Sequence, residues 1–275
     1  MPSTHRIASF AGGTPVNAYL VEGEREVVVV DGTLTVSGGQ SVRQRVMDTG
    51  KPLSAVVLTH AHPDHYGGIV EVVAGSDVPI ISAPGVDEVI RRDDALKEEI
   101  LRPMFGDEWP RERAFPTELV QDGAELTFGD IELRLRDLGA GESHHDTMWL
   151  LGDGKTVFTG DQAYNHMHCY LADGHWKEWL RNAESLAAEL QDDAVLHLGH
   201  GGPAGLDLLA WQRGYIERFV GAVRMADWSD EDRAKADVET SMSDYLASED
   251  LRFLMELSIE PVAIKLGVLT GSGIR

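Results

Sequence analysis

Within six residues, His60-Ala61-His62-Pro63-Asp64-His65 places three imidazoles and a carboxylate. An isolated histidine is an ordinary polar surface residue, but this density is costly unless a cation organises it. Imidazole and carboxylate are ready zinc ligands, and catalytic zinc sites use about three protein donors plus water. Four donors so close in sequence cannot share one helical face. They can converge if the segment is a tight loop entering a helix, which Pro63 and Gly67-Gly68 suit. Three later pieces stand at the ends of expected strands: Gly141-Glu142-Ser143-His144-His145-Asp146-Thr147, Thr159-Gly160-Asp161 and Gly199-His200-Gly201-Gly202. Donors at successive strand ends can meet on one rim of a sandwich. The lone cysteine, Cys169, can form neither an internal disulfide nor a cysteine-rich zinc site. No Gly-x-Ser-x-Gly elbow supports a serine nucleophile.

The elements that must present these residues follow from apolar patterning. Strands are expected at 17–21, 26–30, 55–58 and 79–82, with a helix near 40–47 and a short one over 67–73. A long helix is expected over 84–105, with Pro84 at its start. The segment 109–116 reads as a loop or flap. Further strands are expected at 125–128, 131–135, 148–151, 156–159 and 195–198, with an amphipathic helix over 176–190. Beyond about 205 the pattern turns helical (206–225, 231–246, 250–257), with a last strand at 262–269. Strands with helices between them, twice over, suggest two packed sheets with helices outside.

At 275 residues, 43% hydrophobic and 25% charged, the chain has a globular composition. It has no apolar run of the roughly 18–20 residues that a spanning helix needs, and its first residues lack a secretory pattern. The expectations are a cytoplasmic protein and no membrane partner. The net charge of −22 argues against nucleic-acid partners.

The ordered set HxHxDH, then His, then (T/S)GD, then GH-G resembles the metallo-β-lactamase superfamily over about residues 15 to 205. The resemblance implies an α+β fold, the αββα sandwich (residues 1–205), with a mainly helical C-terminal extension (206–275) acting as cap, substrate wall or homodimer contact. It implies two divalent metal ions: zinc foremost, with iron and manganese suiting the same donors. His60, His62 and His144 would hold one ion, Asp64, His65 and His200 the other, and Asp161 would bridge them. The family often has Gly-His-(Ser/Thr)-x-Gly/Asp at the third piece, where this chain has adjacent histidines. His144 is preferred as the ligand, leaving His145 to the pocket or to a hydrogen bond with a ligand. Asp64 would also orient or accept a proton. Asp31 resembles the family's early strand-terminal aspartate, a support near the metals; a plain turn residue is the other reading. Tyr164, three residues after Asp161, resembles the tyrosine with which acyl-homoserine lactonases hold the substrate carbonyl; packing at the sandwich rim is the alternative. Of His166 and His168, His168 is the pocket candidate. His197 reads as a core histidine or a support for His200, and His5 and His175 read as incidental.

The implied reaction is hydrolysis of a small ester, lactone or thioester through metal-activated hydroxide. A glyoxalase II-like thioesterase or a β-lactam hydrolase is the alternative, and a mono-iron enzyme resembling persulfide dioxygenase is a more remote one.

Overall fold

Val27 to Val30 is an uninterrupted β-branched run, and every side chain in it is buried. A strand that is apolar on both faces has to be covered on both, and this one lies inside a sheet. The structure, a computed structural model, describes residues 2–9 and 15–270. Its first sheet runs, in spatial order, β1 (Ser3–Ser9), β2 (Val16–Glu22), β3 (Val27–Val30), β4 (Leu53–Val57), β5 (Ile80–Ser82) and β6 (Glu118–Leu119). The first three pair antiparallel, and β3 to β6 pair parallel. The second sheet runs β11 (Val195–His200), β10 (Thr156–Tyr164), β9 (Asp146–Leu151), β8 (Ile131–Gly139) and β7 (Glu125–Phe128). Its pairs are antiparallel except β10 with β11.

The sheets pack face to face. On β8, Ile131, Leu133 and Leu135 point into the shared core while Glu132 and Arg134 are exposed. On β9, Trp149 and Leu151 enter that core, whereas Met148 and Leu150 meet the helices behind the second sheet, so the whole strand is buried. Helices α1 (Val36–Asp48) and α3 (Ile69–Val72) cover the first sheet through Val42, Val46, Ile69 and Val72. Helices α5 (Trp176–Glu189) and α6 (Asp207–Met225) cover the second through Leu186, Leu208 and Leu209. The result is the expected αββα sandwich with C-terminal helices. The short helix α2 (Pro63–Tyr66) follows β4, and α4 (Pro84–Phe105) follows β5.

Three expectations change. The strand expected at 262–269 is instead the end of α8 (Arg252–Leu266), which follows α7 (Glu231–Tyr245). Met255, Ile259, Val262 and Ala263 are buried together at helical spacing, and a short apolar run does not by itself separate the two states. The polar segment Ser3–Ser9, where the apolar pattern predicts no strand, pairs along its length with β2 as an edge strand. The segment 109–116 is a loop, one of its two expected forms, but no free flap: Trp109 is buried, its Nε1 donates to Glu98, and Arg113 pairs with Glu98 and Asp94. Among the described residues no helix is long and apolar enough to cross a membrane.

Candidate metal centre

Strand ends and the turns after them carry the chemistry. His60 leaves β4 through Thr59, and Asp64 and His65 ride on α2. Asp161 lies within β10, and His200 closes β11. Two donor groups result: His60, His62, Glu142 and Asp161 form one, and Asp64, His65 and His200 the other. Within each, one donor atom per residue lies within 4.8 Å of all the others. In the first, Glu142 Oε2 is 3.0 Å from His62 Nδ1 and 3.7 Å from His60 Nε2. In the second, His200 Nε2 is 3.3 Å from Asp64 Oδ2. Asp161 stands between them, 3.9 Å from His60 Nε2, 3.4 Å from His65 Nε2 and 3.0 Å from His200 Nε2.

His60 Nε2, His65 Nε2, Glu142 Oε2 and Asp161 Oδ1 are buried and, although they lie close to one another's groups, none makes an aligned hydrogen bond. Buried polar atoms are nearly always satisfied, and leaving one bare costs about 1–3 kcal/mol. Several such atoms converging on shared points are what divalent cations would satisfy, so the donor set fits the metals that the resemblance implies.

The other nitrogen of each imidazole is held from outside. His60 Nδ1 lies 3.1 Å from Thr59 Oγ1, His62 Nε2 3.3 Å from Asp173, and His65 Nδ1 2.8 Å from Asp31. His200 Nδ1 meets the Pro15 carbonyl. Such partners fix the tautomer and aim the free nitrogen inward. Asp31 also accepts from Thr59 N at 2.9 Å and Thr59 Oγ1 at 2.8 Å. It does so from a left-handed backbone conformation (φ 60°), which costs about 1–3 kcal/mol in a non-glycine residue. Gly199 is required by space, because a Cβ there would lie 1.9 Å from Asp161 Oδ1.

Without cations the centre holds protons. Burial lowers the proton affinity of His200, yet Asp161 and Asp64 outweigh it and push the ring up to about 10. Glu142 and Asp173 likewise outweigh burial at His62, as Asp161 and Asp31 do at His65, and both rings are raised well above their ordinary value. His60 goes the other way, because burial and the neighbouring His65 both oppose its charge. Burial pushes the Glu142 carboxyl up to about 8 against the pull of His62.

His60, His62, Asp64, His65, Asp161 and His200 come together as expected from the sequence, and Asp31 supports them. His144 does not join them: its Nδ1 is 2.8 Å from His175 Nε2, and its side chain is 35% exposed. His145 is bound to Asp137 at 2.9 Å. The turn explains this. Asp146 accepts from Ser143 N at 3.0 Å and Ser143 Oγ at 2.9 Å, which seats Glu142 in the centre and leaves both histidines outside it. The available signal was register: Gly141-Glu142-Ser143 matches Gly-His-(Ser/Thr), with glutamate in the histidine position.

Two more expectations are revised. Tyr164 is 1% exposed, stacks on His200 at 4.9 Å, and places its hydroxyl 2.8 Å from Glu142 and 2.9 Å from Asp161. Its hydroxyl is committed to these carboxylates and not to a substrate carbonyl. His168 lies outside the pocket, between Tyr215 Oη at 2.9 Å and the Ser248 carbonyl at 3.0 Å. Asp173 and Tyr170 carried no sequence signal; the Tyr170 ring stands edge-on to His62 at 5.2 Å.

Comparison with known proteins agrees with this geometry. The family model described as Metallo-beta-lactamase superfamily matches residues 11–200. An uncharacterised Bacillus subtilis protein, YobT, is 49% identical over 55 residues, 20% of this chain and 23% of the relative. A protein named hydroxyacylglutathione hydrolase from Alkalilimnicola ehrlichii is 36% identical over 63 residues, 21% of this chain and 25% of the relative. The alkyl/aryl-sulfatase BDS1 of Saccharomyces cerevisiae is 33% identical over 67 residues, 22% of this chain and 10% of the relative. The chain thus spans a quarter or less of the length of these curated relatives. Among solved structures, a metallo-beta-lactamase from Pontibacter korlensis superposes with TM-score 0.64 at 17% identity, covering 78% of this chain and 94% of that one. The metallo-beta-lactamase DIM-1 gives 0.60 at 16%, covering 78% and 91%. At these identities the likeness is one of fold.

Proposed function

From the premise that the chain belongs to the metallo-beta-lactamase superfamily, whose members are typically hydrolytic enzymes, we propose that it hydrolyses a small ester, lactone or thioester at a centre for two divalent metals, zinc foremost. The observation that carries this reading is the pair of neighbouring donor groups, with Asp161 of the first also close to His65 and His200 of the second, and with buried donor atoms left unpartnered. His60, His62 and Glu142 would hold one ion, Asp64, His65 and His200 the other, with Asp161 between them. Ions so placed supply Lewis acidity and lower the pKa of water towards neutrality.

The chain's own groups do the rest. Asp64 is the most open of the centre's carboxylates, at 18% side-chain exposure against 2% for Asp161 and 0% for Glu142. It is placed to orient an incoming water and accept its proton. The Tyr164 hydroxyl fixes Glu142 and Asp161 relative to each other. The local relative named hydroxyacylglutathione hydrolase supports including thioesters, and the one named alkyl/aryl-sulfatase adds sulfate esters to the trial set.

The test is metal content per chain by elemental analysis, with turnover measured on aryl esters, acyl-homoserine lactones, glutathione thioesters, a cephalosporin and an aryl sulfate. About two ions per chain, with acyl hydrolysis abolished in His62→Ala, is the expected result. One iron per chain without hydrolysis would point to oxygen chemistry, and no bound metal after reconstitution would remove the basis of the proposal.

A further inference from the structure

Helices α6 to α8 supply no donor to the centre, yet they hold a segment that touches it. That segment, residues 165–175, leaves β10 and is fastened to the C-terminal helices at several points. Leu171 N donates to the buried Ser258 hydroxyl of α8 at 2.7 Å. His168 N donates to the Asp250 carbonyl at 3.1 Å, and Cys169 and Leu171 share a core with Ile216, Met255 and Ile259. Two residues beyond Leu171 the chain turns, closed by Gly174 N on the Leu171 carbonyl at 3.0 Å with Gly174 at φ 76°. The turn presents Asp173, which is 14% exposed, to His62 Nε2 at 3.3 Å, while His62 Nδ1 faces Glu142 at 3.0 Å. The other close groups are weaker partners for this carboxylate: Tyr170 Oη at 3.4 Å and His144 Nε2 at 3.7 Å.

We propose that Asp173 is a positioning residue for His62, and that Ser258 of α8, through Leu171, sets where Asp173 stands, so that the C-terminal helices tune the affinity of the first metal position. The proposal rests on the two-metal reading above. An imidazole whose far N–H is given to a carboxylate is held to one tautomer and one ring orientation and becomes a more basic ligand; losing such a partner typically costs about 10–100-fold in metal affinity. Asp31 does the same for His65 from within the sandwich, so the two positions are oriented by different parts of the chain.

The experiment is a zinc titration of the full chain against a chromophoric chelator, for wild type, Asp173→Ala, Asp173→Asn and Ser258→Ala, with folding checked by circular dichroism. Asp173→Ala is expected to weaken one of the two ions about 10–100-fold and leave the other within about threefold. Asp173→Asn should recover part of the loss, since an amide oxygen still accepts from Nε2, and Ser258→Ala should weaken the same ion by less. Long-range 15N spectra of the zinc-loaded wild type should show His62 protonated at Nε2. Unchanged affinities, equal loss of both ions in a folded variant, or His62 protonated at Nδ1 would overturn the proposal while leaving the two-metal reading intact. A wild-type chain that binds no zinc would overturn both. If Asp173→Ala does not fold, the asparagine and Ser258 variants decide.

Discussion

At the scale of single residues, Tyr164 is the sharpest discriminator. A hydroxyl that stabilises a substrate oxyanion is worth about 10²–10³ in kcat and leaves metal content untouched. A hydroxyl that ties Glu142 to Asp161 acts on the metals. Tyr164→Phe is therefore expected to lower metal occupancy along with kcat, with about 1–2 kcal/mol lost from unfolding stability in urea because buried carboxylate oxygens lose a donor; full occupancy with a large fall in kcat would restore the substrate-contact role. His197 offers a pH test remote from the donors. Its ring lies between Tyr19 and Phe158, its Nδ1 has no partner, and burial pushes it down to about 4. The unfolded chain takes up this proton below about pH 6.5 and the fold resists until about 4, so the fold loses stability as pH falls through that window. Between pH 7 and 5 the loss is about 1–2 kcal/mol, and His197→Phe should remove it from the pH dependence of the urea midpoint. Most donors were legible in the sequence because HxHxDH is dense and the later pieces end strands. Glu142 was not, because adjacent histidines drew attention to residue types over register. Nothing in a sequence marks Asp173, which reaches His62 across 111 positions.

At the scale of elements, α4 leads from the core past groups that flank the centre. Val86 and Ile90 are buried in its first turns. The same helical face continues through Asp93, within electrostatic reach of His144, and Lys97, within reach of Asp173. It runs on to Ile100 and Met104, which are 48% and 68% exposed, with Leu96 alongside at 56%. If substrate enters beside α4, this exposed apolar ridge suits one with an apolar arm. Rates should therefore rise with acyl chain length, and Ile100→Ser/Met104→Ser should lower kcat/KM about tenfold for an octanoyl ester while sparing the acetyl ester, given about 0.8 kcal/mol per buried methylene. A flat chain-length profile would remove this role from α4. The strands were read correctly where apolar runs are long and β-branched. They were missed where register alone makes the strand, as in Ser3–Ser9, and falsely placed where helix and strand share an apolar run, as at 262–269.

At the scale of the molecule, the centre ties the two sheets together. It draws His60, His62, Asp64 and His65 from the first and Glu142, Asp161 and His200 from around the second. Chelation should cost the fold about 4 kcal/mol for each ion supplied at about a thousandfold above its Kd, read as a fall in melting temperature that zinc reverses; a melt indifferent to chelator would exclude structural coupling. The path from Ser258 through Leu171 and Asp173 to His62 also has a consequence in time. A protein is made from its N-terminus, and domains tend to fold as they emerge. His60, His62, Asp64 and His65 leave the ribosome long before Asp173, and Asp173 before the helix that fixes it. On the proposal above, a nascent chain stopped short of α8 carries its histidine cluster without the full set of restraints that aims it, and secure metal capture waits until α8 has emerged.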